Sequence, residues 1–245
     1  MNKLNLIFIG QSHTQAIYEA SKLSEELSTS WAFLYPSSDG AVIDYDELGS
    51  KLNTKTINYF ESLVACNSIV LSTIGGNAHN VLAMLQYNPP FDFYSPHCPQ
   101  RPEKNDHLIP YETIKLAFQE ILKVGDLSIL DAAKRSLPDL KFHIESPPPP
   151  RSNELIKALL DPYFIDRYPD AIVADPWLRL KFYKLHSEIF KARCEHLGIT
   201  FIPAPFEAVD SDGFLLPEFV CPTSSTHANN SYGSLVIKKL IGNSL

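Results

Sequence analysis

The stretch Leu4-Asn5-Leu6-Ile7-Phe8-Ile9-Gly10-Gln11-Ser12-His13-Thr14 decides how this chain is read. An apolar run ends in Gly10, a Ser-His pair follows, and the pattern then turns helical. Such a segment is a first β-strand that delivers a hydroxyl to the carboxyl edge of a sheet. Open α/β sheets place their ligands at that edge. Two later segments gain meaning from it: Gly75-Gly76-Asn77-Ala78-His79-Asn80 and Thr226-His227-Ala228-Asn229.

Further strand-like runs fall at 31–35, 68–73, 140–145 and 199–203. Helical patterns occupy 15–27, 54–65, 79–86, 111–123, 127–136, 177–197 and 230–241. Over 15–27, Ile17, Ala20, Leu23 and Leu27 share one face, with Glu19, Lys22, Glu25 and Glu26 opposite. Later, Trp177, Leu180, Tyr183 and Phe190 read as a buried helix face, and Tyr232-Gly233 as packing. Strands that alternate with helices imply βαβ units, and right-handed crossovers then cover both faces of the sheet. The expected architecture is α/β: a three-layer α/β/α domain over residues 1–245, built on a five-stranded, mostly parallel, flavodoxin-like sheet in the order 2-1-3-4-5. Residues 88–110 contain Pro89, Pro90, Pro96, Pro99, Pro102 and Pro110 without periodicity. A loop of that length is expected to border a site and shape access to it. Pro147 to Pro150 stop the fourth strand and stiffen its rim as a polyproline segment.

With 245 residues, 44% hydrophobic and 20% charged, the chain has the composition of an ordinary globular protein with a substantial core. Its formal net charge of -7 and lack of Lys/Arg runs disfavour a nucleic-acid partner or an anionic membrane surface. No segment approaches the roughly 20 apolar residues of a membrane helix. No signal-peptide cleavage region follows the N-terminus, so a cytoplasmic location is expected. Cys66, Cys98, Cys194 and Cys221 are scattered without a CxxC pair and read as reduced structural thiols. His97, Cys98 and His107 fall in a Pro- and Asp-containing loop that accounts for them without a metal, and none is expected.

Ser12 has two readings. With Gln15 it fits the S-x-x-Q capping box of a helix start. A Ser at a strand-to-helix turn also exposes its hydroxyl beside backbone N–H groups and a helix dipole that favour negative charge, as a tetrahedral oxyanion requires. Asn77 either caps the following helix or turns its amide toward the same edge as Ser12. His227 is either a surface residue or returns to that edge, where it can take a proton from Ser12. His13 and His79 flank the key positions as polar helix starts or as substrate contacts.

The ordered set of Gly-x-Ser-His after strand one, Gly-Gly-Asn after strand three and Thr-His near the C-terminus resembles the SGNH hydrolase superfamily, also called GDSL-like hydrolases. The resemblance runs from Gly10 to Gly233. It implies that Ser12 is the nucleophile, Asn77 an oxyanion donor and His227 the base. A second-block Gly lends a backbone N–H, best matched by Gly40, with Gly49 further along the same loop. It also implies a serine esterase that needs no cofactor and acts on a small-molecule or carbohydrate ester.

The sequence departs from the family in two places. The first block reads Gly-Gln-Ser-His instead of Gly-Asp-Ser. Ser224 stands three residues before His227, where the family usually has Asp. A Ser can accept a hydrogen bond from the imidazole but cannot stabilise imidazolium by charge. Loss of the triad acid costs about 10⁴ in turnover in a serine protease. Asp210, Asp212 and Glu218 are near in sequence but match no motif. Two further outcomes stay open: a degenerate member that binds a glycan or acylated ligand, and an O-acyltransferase in which another hydroxyl replaces water.

Overall fold

Along the first strand, β1 (Leu4–Gly10), Leu6 and Phe8 join one hydrophobic cluster, and Ile7 and Ile9 join another. All four are fully buried, which places β1 in the interior of a sheet covered on both faces. The computed structural model describes residues 4–25, 27–34, 42–64, 68–102, 107–160 and 162–242. In it β1 pairs in parallel with β2 (Leu27–Phe33) and with β3 (Ser68–Thr73). Strands β4 (Leu140–Ile144) and β5 (Thr200–Ile202) extend the sheet, giving the expected order β2-β1-β3-β4-β5.

The helices of the described residues are α1 (Thr14–Ser21), α2 (Thr54–Leu63), α3 (Ala78–Ala83), α4 (Tyr111–Val124), α5 (Asp126–Ser136), α6 (Asn153–Ala158), α7 (Pro162–Arg167), α8 (Pro176–Leu197) and α9 (Asn230–Gly242). Helices α1 and α9 cover one face, with Ile17, Val236 and Ile237 packed against Leu6 and Phe8. Helices α2, α4, α5 and α8 cover the other, with Phe60, Phe118, Leu130 and Phe190 packed against Ile7 and Ile9. Each such side chain contributes about 1.5–3 kcal/mol on full burial. The result is the three-layer α/β/α arrangement.

Helix α8 is buried on several sides, beyond the single face expected from Trp177, Leu180, Tyr183 and Phe190. Asp175 caps it by accepting from the Trp177 N–H at 2.8 Å. Two of its cations are buried, and each is paired, as burial of charge demands. Lys181 Nζ meets Asp92 at 2.7 Å. The Arg179 guanidinium donates to the carbonyls of Pro150, Arg151 and Ala174 and to Asn153 Oδ1. Arg179 therefore fixes the end of the four-proline run.

The observed elements differ from the sequence reading in four places. Helix α1 ends at Ser21, whose hydroxyl turns back to the Tyr18 carbonyl at 2.7 Å. Leu23 is consequently exposed, and Leu27 opens β2 opposite Leu4. The polar Ser28-Thr29-Ser30 run is tolerated because β2 is the sheet edge, where half-exposed hydroxyl side chains fit. Helices α6 and α7 were not anticipated. Cys98, Cys194 and Cys221 are free thiols, and Cys66 lies outside the described residues. Among the described residues, no helix is long and apolar enough to cross a membrane.

Gly233 lets α9 touch α1. A Cβ there would lie 2.0 Å from the Ala16 carbonyl oxygen. Gly233→Ala must push the helices apart, an overpacking cost of about 1–3 kcal/mol. We expect its urea midpoint to fall at unchanged m-value. Gly242→Ala, with nothing within 4 Å of the new Cβ, should leave the midpoint unchanged or raise it. Equal midpoints for the two variants would contradict the close contact.

Candidate active site

Three turns meet at the carboxyl edge of the sheet. In the first, between β1 and α1, the N-cap of α1 is His13, which makes no side-chain capping bond. The Ser12 hydroxyl is not used in a capping box. It lies 2.9 Å from Nε2 of His227. The second turn follows β3. Gly75 and Gly76 have φ of 84° and 107°. A Cβ on Gly76 would fall 2.6 Å from Ser146 Cβ and 3.0 Å from His13 Cδ2, so conformation and space both require glycine. Gln11 ties these two turns together: its Oε1 accepts from the Gly75 N–H at 3.1 Å.

Asn77 stands at the N-cap of α3 without a side-chain capping bond. Its Oδ1 accepts from Asn80 Nδ2 at 3.2 Å, which leaves its own Nδ2 as the available donor. The third turn precedes α9. Asn229 pins it by donating to the carbonyls of Glu218 and Val220 and accepting from the N–H groups of Ser231 and Tyr232. Within it, Nδ1 of His227 contacts Ser224 Oγ at 2.8 Å and Thr226 Oγ1 at 2.9 Å. In the sequence Thr226 entered the pattern only as the neighbour of the histidine, with no role of its own.

His13 is buried and stacks on His227, with ring centroids 4.6 Å apart and an interplanar angle of 24°. Desolvation lowers its pKa well below the usual value, and the neighbouring His227 and His186 push it the same way. A neutral ring therefore lies against the His227 imidazole. Two cavities meet at Ser12 and His13. The first, of about 540 Å³, is lined by Thr223, Ser224, His227, Asn229 and Asn230 among others, without an acidic or basic side chain other than histidine. The second, of about 350 Å³, is lined by Gln11, Asn77, Val81, Ile121 and Asp126 among others.

His79 lines neither cavity. It belongs to the buried face of α3, with its ring against Tyr183 and His186 of α8 at 5.4 and 5.2 Å. The described part of the 88–110 loop also stays outside both cavities. Phe93 packs on Phe182, Asp92 is held by Lys181, and Cys98 is buried with Leu180 and Phe214, so burial fixes the loop on α8. Gly40 lies outside the described residues. Gly49 abuts Arg135 in the last turn of α5 and lines neither cavity. Asp210 and Asp212 pair with Arg151. Among the described residues, no three His, Cys, Asp or Glu side chains cluster as metal ligands.

No protein-family model matches the chain, and no curated protein matches it. Solved structures do match. An extracellular lipase from Streptomyces rimosus aligns over 98% of this chain and 99% of its own, at 11% identity and a TM-score of 0.47. A GDSL-like lipase from Bacteroides thetaiotaomicron aligns over 99% and 89%, at 12% identity and 0.45. A carbohydrate acetylesterase from Sinorhizobium meliloti aligns over 99% and 100%, at 13% identity and 0.43. At these values the likeness decides neither fold nor activity. The sheet order and the side-chain geometry stand on this chain alone.

Two further buried histidines, His143 and His186, were not singled out in the sequence. Desolvation lowers each to about 3, with His143 adding to the effect on His186. The unfolded chain takes protons near pH 6.5 that these rings refuse when folded. Their contribution to stability is complete above pH 6.5 and is lost as pH falls from 6.5 toward 3. The loss is about 1.4 kcal/mol per pH unit for each buried imidazole. Asp126, raised from 3.8 to about 6 by desolvation, acts in the opposite sense within that narrower window. We expect the urea-unfolding free energy to drop steeply between pH 6.5 and 5, and His186→Phe to flatten the slope. A flat wild-type profile would contradict the neutral rings.

Proposed function

We propose that this chain is an SGNH-type ester hydrolase, with Ser12 as nucleophile and His227 as general base. The observation that carries the reading is the 2.9 Å contact from Ser12 Oγ to His227 Nε2, made by a hydroxyl that leaves its own helix uncapped. The Ser224 and Thr226 hydroxyls receive the Nδ1–H, so Nε2 faces Ser12 unprotonated. Ser224 stands where the family has a carboxylate, and the two hydroxyls orient the ring without supplying charge.

As Ser12 Oγ bonds to the acyl carbon, its proton passes to Nε2. The oxyanion draws on the Asn77 amide and the Ser12 N–H, with Gly40 as the third donor that the family resemblance implies. Collapse expels the alcohol, which takes the proton from Nε2. A water deprotonated by the same nitrogen then attacks acyl-Ser12; breakage of the acyl–Oγ bond frees the acid, and Nε2 returns its proton to Ser12 Oγ. The first cavity, walled by hydroxyls and amides, suits the alcohol portion of a carbohydrate or other small polar ester. The reading treats residues 1–245 as one domain acting in the cytoplasm. Ser224 favours one rival, a member of the same fold that binds such a ligand without turnover.

We expect slow hydrolysis of 4-nitrophenyl acetate and of acetylated sugars, and labelling of Ser12 by a fluorophosphonate. Ser12→Ala and His227→Ala should each lower kcat by at least about 10³, and Ser224→Asp should raise it by about tenfold or more. Unchanged activity in Ser12→Ala would end the nucleophile assignment. A wild type and a Ser224→Asp variant that are both inert and unlabelled would favour the binding protein.

A further inference from the structure

The second cavity contains a carboxylate that the ester chemistry does not use. Asp126 is the first residue of α5 and lines this cavity together with Ser12 and Asn77. Its carboxyl group abuts the turn that follows β3: a Cβ on Gly75 would lie 3.2 Å from Asp126 Cγ. Among the described residues it has no hydrogen-bond or ion-pair partner. It does not serve its own helix either, because the N–H groups of Ser128 and Ile129 are taken by the Gly125 carbonyl at 3.1 and 3.3 Å.

Desolvation raises this carboxyl to about 6, and no hydrogen bond pulls it back. At pH 7.5 it is an anion in a partly dry pocket, which ordinarily calls for a partner. Among the described residues the pocket supplies none: no Lys or Arg lines it, and His13 is held neutral. Ala78, Val81, Ile121 and Leu122 form an apolar wall beside the carboxylate. An anion and alkyl-contacting surface side by side complement an alkylated ammonium. The first cavity has no such charge, so the two sides of Ser12 differ in kind.

Resting on the ester-hydrolase reading, we propose that Asp126 is a specificity-determining residue that selects an acyl group bearing an ammonium centre in the cavity on the Asn77 side of Ser12. The charge is matched by Coulomb attraction across a short, poorly hydrated gap, and the apolar wall takes the carbon substituents.

The test compares a cation with its carbon isostere. The ligands are the N-methylamides of 4-(trimethylammonio)butanoic acid and of 5,5-dimethylhexanoic acid, titrated calorimetrically into the intact chain at pH 7.5. The cation should bind at least about tenfold more tightly, a preference that weakens with added salt. Asp126→Asn and Asp126→Ser, each checked for a melting temperature no lower than that of the wild type, should bring the ratio close to one while Ser12 remains labelled. Equal binding by the wild type, no detectable binding of the cation at millimolar concentration, or a preference that survives in a folded Asp126→Asn protein would each overturn the assignment. Hydrolysis of the two matching 4-nitrophenyl esters separates the two readings. Cation preference in binding without any hydrolysis leaves Asp126 in place and sinks the hydrolase. Hydrolysis without preference does the reverse.

Discussion

The near-contact of β1 and β3 at their carboxyl ends governs everything built above them. A Cβ on Gly10 would fall 1.9 Å from Thr73 Oγ1, so only glycine lets the strands come this close. Thr14 and Thr73 hydroxyls then meet at 2.5 Å, and the Gln11 side chain reaches the Gly75 backbone. Three links across one strand pair fix the relative position of the Ser12 and Asn77 turns before any ligand arrives. A reacting centre gains from such fixed geometry because little reorganisation is left for the moment of bond formation. The Ser12 hydroxyl is also left unclaimed by its own helix, which is why the turn from the far end of the chain can hold it.

Beneath that edge lies a layer of uncharged imidazoles. His13 stacks on His227, His79 faces His186, and His186 and His143 both stack on Phe190. Burial keeps the lower rings neutral, so the layer is polar without being charged. For His227 the consequence is specific. An imidazolium formed there does not meet a second positive ring at stacking distance, and the flat face of His13 limits how far it can tilt. Two hydroxyls and one ring face together hold the His227 imidazole in place.

What the sequence revealed follows from how local each signal is. The strand ends at Gly10 and Gly75-Gly76 are written in neighbouring residues, and the sheet order follows from alternation of strand and helix. Ser12, Asn77 and His227 were read as a set because their order along the chain carries the pattern, even with Ser224 in place of Asp; in the structure Ser12 contacts His227 and shares a cavity with Asn77. The missed features have partners far away in sequence. Asp126, Arg179 and Lys181 drew no attention in the sequence, because the Pro150 carbonyl and Asp92 that pair with the two cations are set by tertiary packing. Helix α8 shows little amphipathic periodicity because it is covered on several sides. The apolar spacing of α1 ran on past Ser21 because Leu27, which continues it, is claimed by β2. The length of the 88–110 loop was read as a sign of function, yet its described part lies on α8.

The hydrogen bond between Ser12 and His227 joins residues 215 positions apart. On a ribosome, the serine emerges 215 residues before the imidazole. Long-range closures of this kind form late in folding, after the sheet has assembled. Until then the Ser12 hydroxyl sits in a turn with no imidazole beside it. Under the proposed mechanism, the nucleophile therefore gains its base only when the segment carrying Thr226 and His227 docks.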